Sequence, residues 1–153
     1  MTNVISLLAN HSADALPEED ISSERLSRLL QTAFLDPEFD EDGDIYVTEG
    51  LDIPAWIHVD HDKKRIVFVT YLKVEPGDAN WLERVNEMNA TIAVPQFSYR
   101  RDAVWGTYWV SYDGGLNVRQ FIKMLRTFAG AFVAGFHIFD RENSMVSGSV
   151  AQT

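Results

Sequence analysis

An α+β fold is predicted by three observations on this chain: strict apolar alternation over residues 53–59, a second strand-rich stretch over 94–112, and one apolar face sustained from Val118 to Phe139. With helical patterns before the first strands and between the two strand groups, the order becomes helix, three antiparallel strands, helix, two-strand hairpin, long C-terminal helix.

Residues 1–20 mix small, polar and acidic side chains and are expected to be a flexible lead-in, with at most a weak helical turn around Ile5 to Leu8. A single domain is expected over residues 21–139. Its first helix starts at Ser22 or Ser23, whose hydroxyl can accept a free amide, and sets Leu26, Leu29, Leu30, Ala33 and Phe34 three and four apart. Asp36-Pro37 ends it, because proline disfavours helical dihedrals in the residue before it.

Asp42-Gly43-Asp44 opens the first strand, Ile45-Tyr46-Val47. In the second, Ile53, Ala55, Ile57 and Val59 share one face while Trp56 and His58 point to the other. Ile66 to Leu72 is apolar on both faces, as a central strand should be, and Asp60-His61-Asp62-Lys63-Lys64 makes the hairpin turn between them. Pro76-Gly77-Asp78 then stops the third strand, with Asp78 as the expected N-cap of a helix carrying Leu82, Val85, Met88 and Ile92.

Val94 to Tyr99 and Ala103 to Tyr112 form a second hairpin around Arg100-Arg101-Asp102. Pro95 lacks an amide to donate and belongs at a strand start or edge. In the longer strand Val104, Gly106, Tyr108, Val110 and Tyr112 take one face, and Trp105, Thr107, Trp109 and Ser111 the other. Gly106 leaves room for a helix to pack close, which puts Trp105 and Trp109 on the opposite side. After Asp113-Gly114-Gly115, Asn117 and Gln120 resemble a capping box. In the helix that follows, Phe121, Leu125, Phe128, Phe132 and Phe136 share one face, and beyond Arg126 it is apolar nearly all round. Such a segment is buried on several sides or packs on a second copy, which makes Val133 and Phe136 candidate homodimer contacts. Residues 140–153 read as a flexible tail.

At 153 residues and 46% apolar content the chain suits one domain with a real core. A formal charge of -10 excludes an electrostatic nucleic-acid binder, which needs clustered Lys and Arg. The charge is uneven: through Asp62 there are 15 acidic residues against Arg25 and Arg28, and from Lys63 onward 11 basic against 8 acidic. That asymmetry can orient self-association or a partner. The absence of cysteine removes disulfides, thiolate catalysis and Cys-based metal sites. The N-terminus lacks the features of a signal peptide, and the apolar run from Phe128 to Phe139 falls short of the about 20 residues that span a bilayer. A cytoplasmic protein without a membrane partner is expected.

Four short strings in this order resemble the YbjN-type family of bacterial proteins, often labelled sensory transduction regulators. They are Asp42-Gly43-Asp44, Ile57-His58-Val59-Asp60 with Arg65-Ile66, Val85-Asn86-Glu87-Met88-Asn89, and Gly114-Gly115-Leu116, spread over residues 23–139. The resemblance implies a fold like the type III secretion chaperones, commonly dimeric, with no established catalytic residues and no cofactor.

The residues offer weaker leads. Glu38, Asp40, Asp42, Gly43, Asp44 and Glu49 fall at the spacing of an EF-hand calcium loop, yet Tyr46-Val47-Thr48 and Gly50 oppose the exiting helix, so a solvated acidic turn is expected. His58, Asp60, His61 and Asp62 could ligate a metal but have no distant partner, and His137 sits at the end of an apolar helix as a packed or capping residue. Gly114-Gly115 before a helix could accept a phosphate, but no full glycine-rich motif accompanies it, and no nucleophile motif such as G-x-S-x-G is present. Trp56, Trp105 and Trp109, with Tyr71 and Tyr99 nearby in pattern, either line an exposed partner-binding sheet face or fill the core. The expectation is a non-enzymatic interaction protein that binds a protein partner. The alternatives are a chaperone for an extended client segment or a small hydrolase or ligand-binding enzyme.

Overall fold

The computed structural model describes residues 14–75 and 80–139. In chain order these form β1 (Ala15–Leu16), a 3-10 turn (Glu18–Asp20), α1 (Ser23–Thr32), β2 (Pro37–Phe39), β3 (Ile45–Val47), β4 (Ala55–Asp60) and β5 (Arg65–Lys73). Then come α2 (Trp81–Thr91), β6 (Gln96–Arg100), β7 (Ala103–Ser111), β8 (Leu116–Asn117) and α3 (Val118–Phe139). The expected α+β order holds, with two additions. The first strand group gains β2, and the lead-in is not wholly free: β1 pairs with β8, and Leu16 and Ile21 are buried. Residues 1–13, the tail from 140 and the expected cap Asp78 lie outside the described residues.

Six strands make one antiparallel sheet in the order β2-β3-β4-β5-β7-β6. One lateral half therefore comes from the acidic part of the chain and the other from the basic part. The register sets Ile45, Ile57, Phe68 and Tyr108 in one row and Phe97 beside Gly106. These residues point to the side where all three helices supply their apolar residues. The opposite face carries no helix among the described residues.

Ser22 caps α1, its hydroxyl accepting from the Arg25 amide. The helix ends earlier than Asp36-Pro37 suggests. The amides of Leu35 and Phe34 donate to the carbonyls of Leu30 and Gln31, closing the helix in a turn that needs a left-handed residue at its corner. Phe34 fills that corner with φ 61 and is 94% exposed, so it is not the core residue its spacing implied. The same reversal swings Leu35 inward. In α2 the cap is Asn80, accepting from the Glu83 amide, and the buried face is Trp81, Val85 and Met88, while Leu82 points to solvent. The helix starts one residue before the expected stripe, at an aromatic that packs at a tilt against Phe136.

α3 is the central helix of the core. Asn117 caps it through the Gln120 amide, and Phe121, Leu125, Phe128, Phe132 and Phe136 are buried against β5, β7 and α2. Gly106 is indispensable there, because a Cβ on it would lie 2.5 Å from the Phe132 ring. By length and composition α3 could cross a membrane, but this helix spends its apolar face on the sheet. Phe136, taken as a dimer contact from its pattern, is 1% exposed and packs on Trp81 and Phe132 of its own chain. Val133 is half-buried against the same cluster. The second half of α3 thus keeps one face on its own domain, while Ala134, His137 and Ile138 stay exposed.

Candidate functional site

Across the open face runs a stripe of stacked rings. Tyr46 on β3 stacks on Trp56 on β4 with centroids 4.4 Å apart, Trp56 on Tyr71 of β5 at 5.5 Å, and Tyr71 on Trp105 of β7 at 4.5 Å. The Arg100 guanidinium on β6 lies 4.3 Å over Trp105, and the Trp105 indole N–H donates to the Arg100 carbonyl. At the other end Glu38 on β2 stands directly opposite Tyr46. All four rings are half-buried. Burial pushes the Tyr46 phenol above its ordinary value, with the neighbouring Tyr71 and Glu38 adding to it, so its hydroxyl stays protonated.

The period-2 geometry of strands explains why these side chains share a face, and antiparallel register explains why they touch. The tryptophans singled out from the sequence divide here. Trp56 and Trp105 join the stripe, whereas Trp109 stands apart on β7, 53% exposed with the Arg65 guanidinium 5.8 Å from its ring. Tyr99 belongs to the helix side, packed on the second core cluster with its hydroxyl donating to Asp102.

The other candidate residues go to structural tasks. In the acidic turn the Asp40 carboxylate accepts from the amides of Asp42 and Asp44, closing the β2–β3 hairpin. His58 and Asp44 pair at 2.7 Å, Asp60 pairs with Arg65, and His61 contacts the Tyr112 hydroxyl, so the histidines and aspartates of the β4–β5 hairpin face different partners. The Gly114 amide, a conceivable anion donor, is taken by the Glu18 carboxylate at 2.8 Å. Lys64 bridges Glu18 and Asp113. The hydrogen bonds its ammonium donates to both carboxylates push its pKa well up, so it stays a cation and is no base or nucleophile. These contacts strap the 3-10 turn to the ends of the two hairpins. Among the described residues no group of His, Cys, Asp and Glu could hold a metal ion.

The sequence pattern of a known family, "Putative bacterial sensory transduction regulator", matches residues 22–141. The chain belongs to the YbjN family. No curated protein matches it in sequence. Among solved structures it is similar to YbjN of E. coli, described as "a putative transcription regulator", with a TM-score of 0.68 at 14% identity over 82% of this chain and 96% of that one. It is also similar to a chain of the HopA1-SchA chaperone-effector complex, with a TM-score of 0.52 at 12% identity over 74% of this chain and 90% of that one. The fold therefore resembles that of a type III secretion chaperone, and the YbjN family is not known for enzymes.

Proposed function

We propose that this YbjN-family chain is a non-enzymatic regulatory protein that acts by binding another protein through the open face of its sheet. The observation that carries this reading is the stripe from Tyr46 to Trp105: large rings that could have been buried stand half-wet on a face that no helix covers among the described residues. Tyrosine and tryptophan give large contact area at low entropy cost and are enriched in the centres of protein interfaces. Lys64, His58 and His61 are engaged in ion pairs and hairpin contacts, which favours binding over catalysis. A cytoplasmic setting suits the cysteine-free sequence.

A second reading is favoured by the likeness to the chaperone-effector complex: a chaperone holding an extended client segment on this face. One experiment addresses both. Wild-type protein and the variants Trp56→Ala and Trp105→Ala serve as cross-linking baits in source cells. Wild type should retain a recurrent protein partner that both variants lose; a secreted client would favour the chaperone reading. Equal capture by all three baits would remove the outer face from the account.

A further inference from the structure

We propose that the corner closing α1 is a docking surface of its own, separate from the open face of the sheet, and that it takes an acidic folded protein whose apolar pocket receives the Phe34 ring. Phe34 is 94% exposed and holds φ 61. A lone exposed apolar residue is ordinary, but a bulky one in the left-handed region is not, because its Cβ crowds the backbone there and glycine would close the same turn without strain. The turn itself needs only backbone: the amides of Phe34 and Leu35 donate to the carbonyls of Gln31 and Leu30. Backbone strain and an unburied ring therefore fall on one residue, and the fold gains nothing from that ring. Strain kept where the fold does not need it points to function. A protruding ring needs a pocket, which an extended segment lacks and a folded surface supplies.

The charges around the corner choose the partner. On α1 Arg25 and Arg28 are exposed one turn apart, and on α3 Arg119, Lys123 and Arg126 follow at the i, i+4, i+7 spacing of one exposed face. The Arg126 guanidinium donates to the Ala33 carbonyl at 2.9 Å, so the basic row of α3 runs past the corner. Arg119 is paired with Asp14, but among the described residues Arg25, Arg28 and Lys123 have no ion-pair partner. α3 has no Asp or Glu, and α1 has Glu24 alone. In a chain of 23 acidic and 13 basic residues, cations left unpaired on two adjoining helices run against the overall charge, and they match carboxylates at the rim of a partner's pocket. An anionic membrane or a nucleic acid fits less well. Asp36 follows the corner and Glu49 neighbours Gly50, which lies against the Phe34 carbonyl, so a broad array of phosphates would meet exposed carboxylates as well as the cations.

The first measurement needs no partner. Phe34→Gly should raise the urea midpoint of the isolated protein by about 0.5 M, because glycine relieves the strain and loses no packing. An unchanged or lowered midpoint overturns the inference, since the ring would then serve the fold. In source cells, the chain with a photoreactive p-benzoylphenylalanine in place of Phe34 should give one recurrent protein adduct on irradiation. Arg28→Glu with Lys123→Glu should cut its yield roughly tenfold at an unchanged urea midpoint, and a carbodiimide, which joins amines to carboxylates, should link Lys123 to an Asp or Glu of the same protein. Trp56→Ala should lose the partner of the outer face and keep this adduct. No adduct, an adduct indifferent to the charge reversals, an adduct lost with Trp56→Ala, or one at twice the 17.4 kDa chain mass, which is a second copy, overturns the inference. Failure of the outer-face reading shows separately, as equal capture by the wild-type, Trp56→Ala and Trp105→Ala baits.

Discussion

On the helix side of the sheet the aromatic layer is built mainly from seven buried phenylalanines, Phe68, Phe97, Phe121, Phe128, Phe132, Phe136 and Phe139, with Trp81 and Tyr112 among them, whereas on the open side it is built from Tyr46, Trp56, Tyr71, Trp105 and Trp109, none of them buried. The two layers sit a strand's thickness apart and are chemically distinct. Phenylalanine has no polar atom to satisfy, so it dominates the interior beneath the three helices. Tyrosine and tryptophan keep a hydroxyl or indole N–H that needs a partner or water, so they suit a surface that is covered only part of the time. The inner layer is for stability and the outer layer for contact.

The strongest break of that contrast is a pair of truncations. Phe132→Ala removes a fully buried ring that touches Phe97, Phe136 and the Gly106 backbone, and should cost about 4 kcal/mol of unfolding free energy. Trp105→Ala removes a larger ring, but a half-exposed one stacked on Tyr71 and Arg100, and should cost only about 1 kcal/mol. Urea titrations of both variants measure the difference. Similar losses would mean that the outer stripe is part of the core, and the division of labour would fail.

A smaller effect comes from the sheet's edges, where the helix side reaches round to β6. The Asn89 side chain on α2 accepts from the Phe97 amide and donates to the Phe97 carbonyl at 2.7 and 2.9 Å, standing in for a neighbouring strand. Asn89→Ala should cost about 2 kcal/mol by leaving both groups without that partner, and should expose a free edge prone to strand pairing. Denaturant midpoints and the concentration dependence of scattering give the readout. An unchanged midpoint would show that the edge needs no cover. The opposite edge is blunted differently, by a three-residue strand bearing Pro37 and Glu38.

Much of the inner layer was legible in the sequence, because period-2 alternation in β4 and the helical spacing of α3 each name their own buried face. Gly106 was legible too, since a glycine inside an aromatic strand signals close approach. What failed was local. Pro37-Glu38-Phe39 is too short to show a period, Ala15–Leu16 has no pattern at all, and the turn at Phe34 puts a bulky residue where glycine is usual. The stripe was half legible: Trp56, Tyr71 and Trp105 stood out as aromatic, but Tyr46, Glu38 and Arg100 join them only through cross-strand register. Register is a property of pairing between distant segments, and no window of sequence contains it. For the same reason Tyr99 and Trp109 looked equivalent to the others and are not, and Phe136 looked available and is not.

The smallest expected effect tests the strap that holds the 3-10 turn against the inner layer. Glu18 accepts from Lys64 and from the Gly114 amide, and these hydrogen bonds lower its pKa from the ordinary glutamate range. A carboxyl whose folded pKa is depressed adds stability above its unfolded pKa, about 4.3, and loses it as pH falls through the folded value. The wild type should therefore lose this contribution below about pH 5, while Glu18→Gln, with nothing to protonate, lacks it at every pH. Denaturation midpoints of the two proteins should differ at neutral pH and converge in acid, with the amide of Val118, which donates to Asp14 beside the strap, exchanging faster in the variant. Because the carboxylate is exposed to water the gap will be small, and the outer stripe should not respond. Parallel pH curves for the two proteins would show that the strap contributes nothing, and that β1 is held by its pairing with β8 and the burial of Leu16 alone.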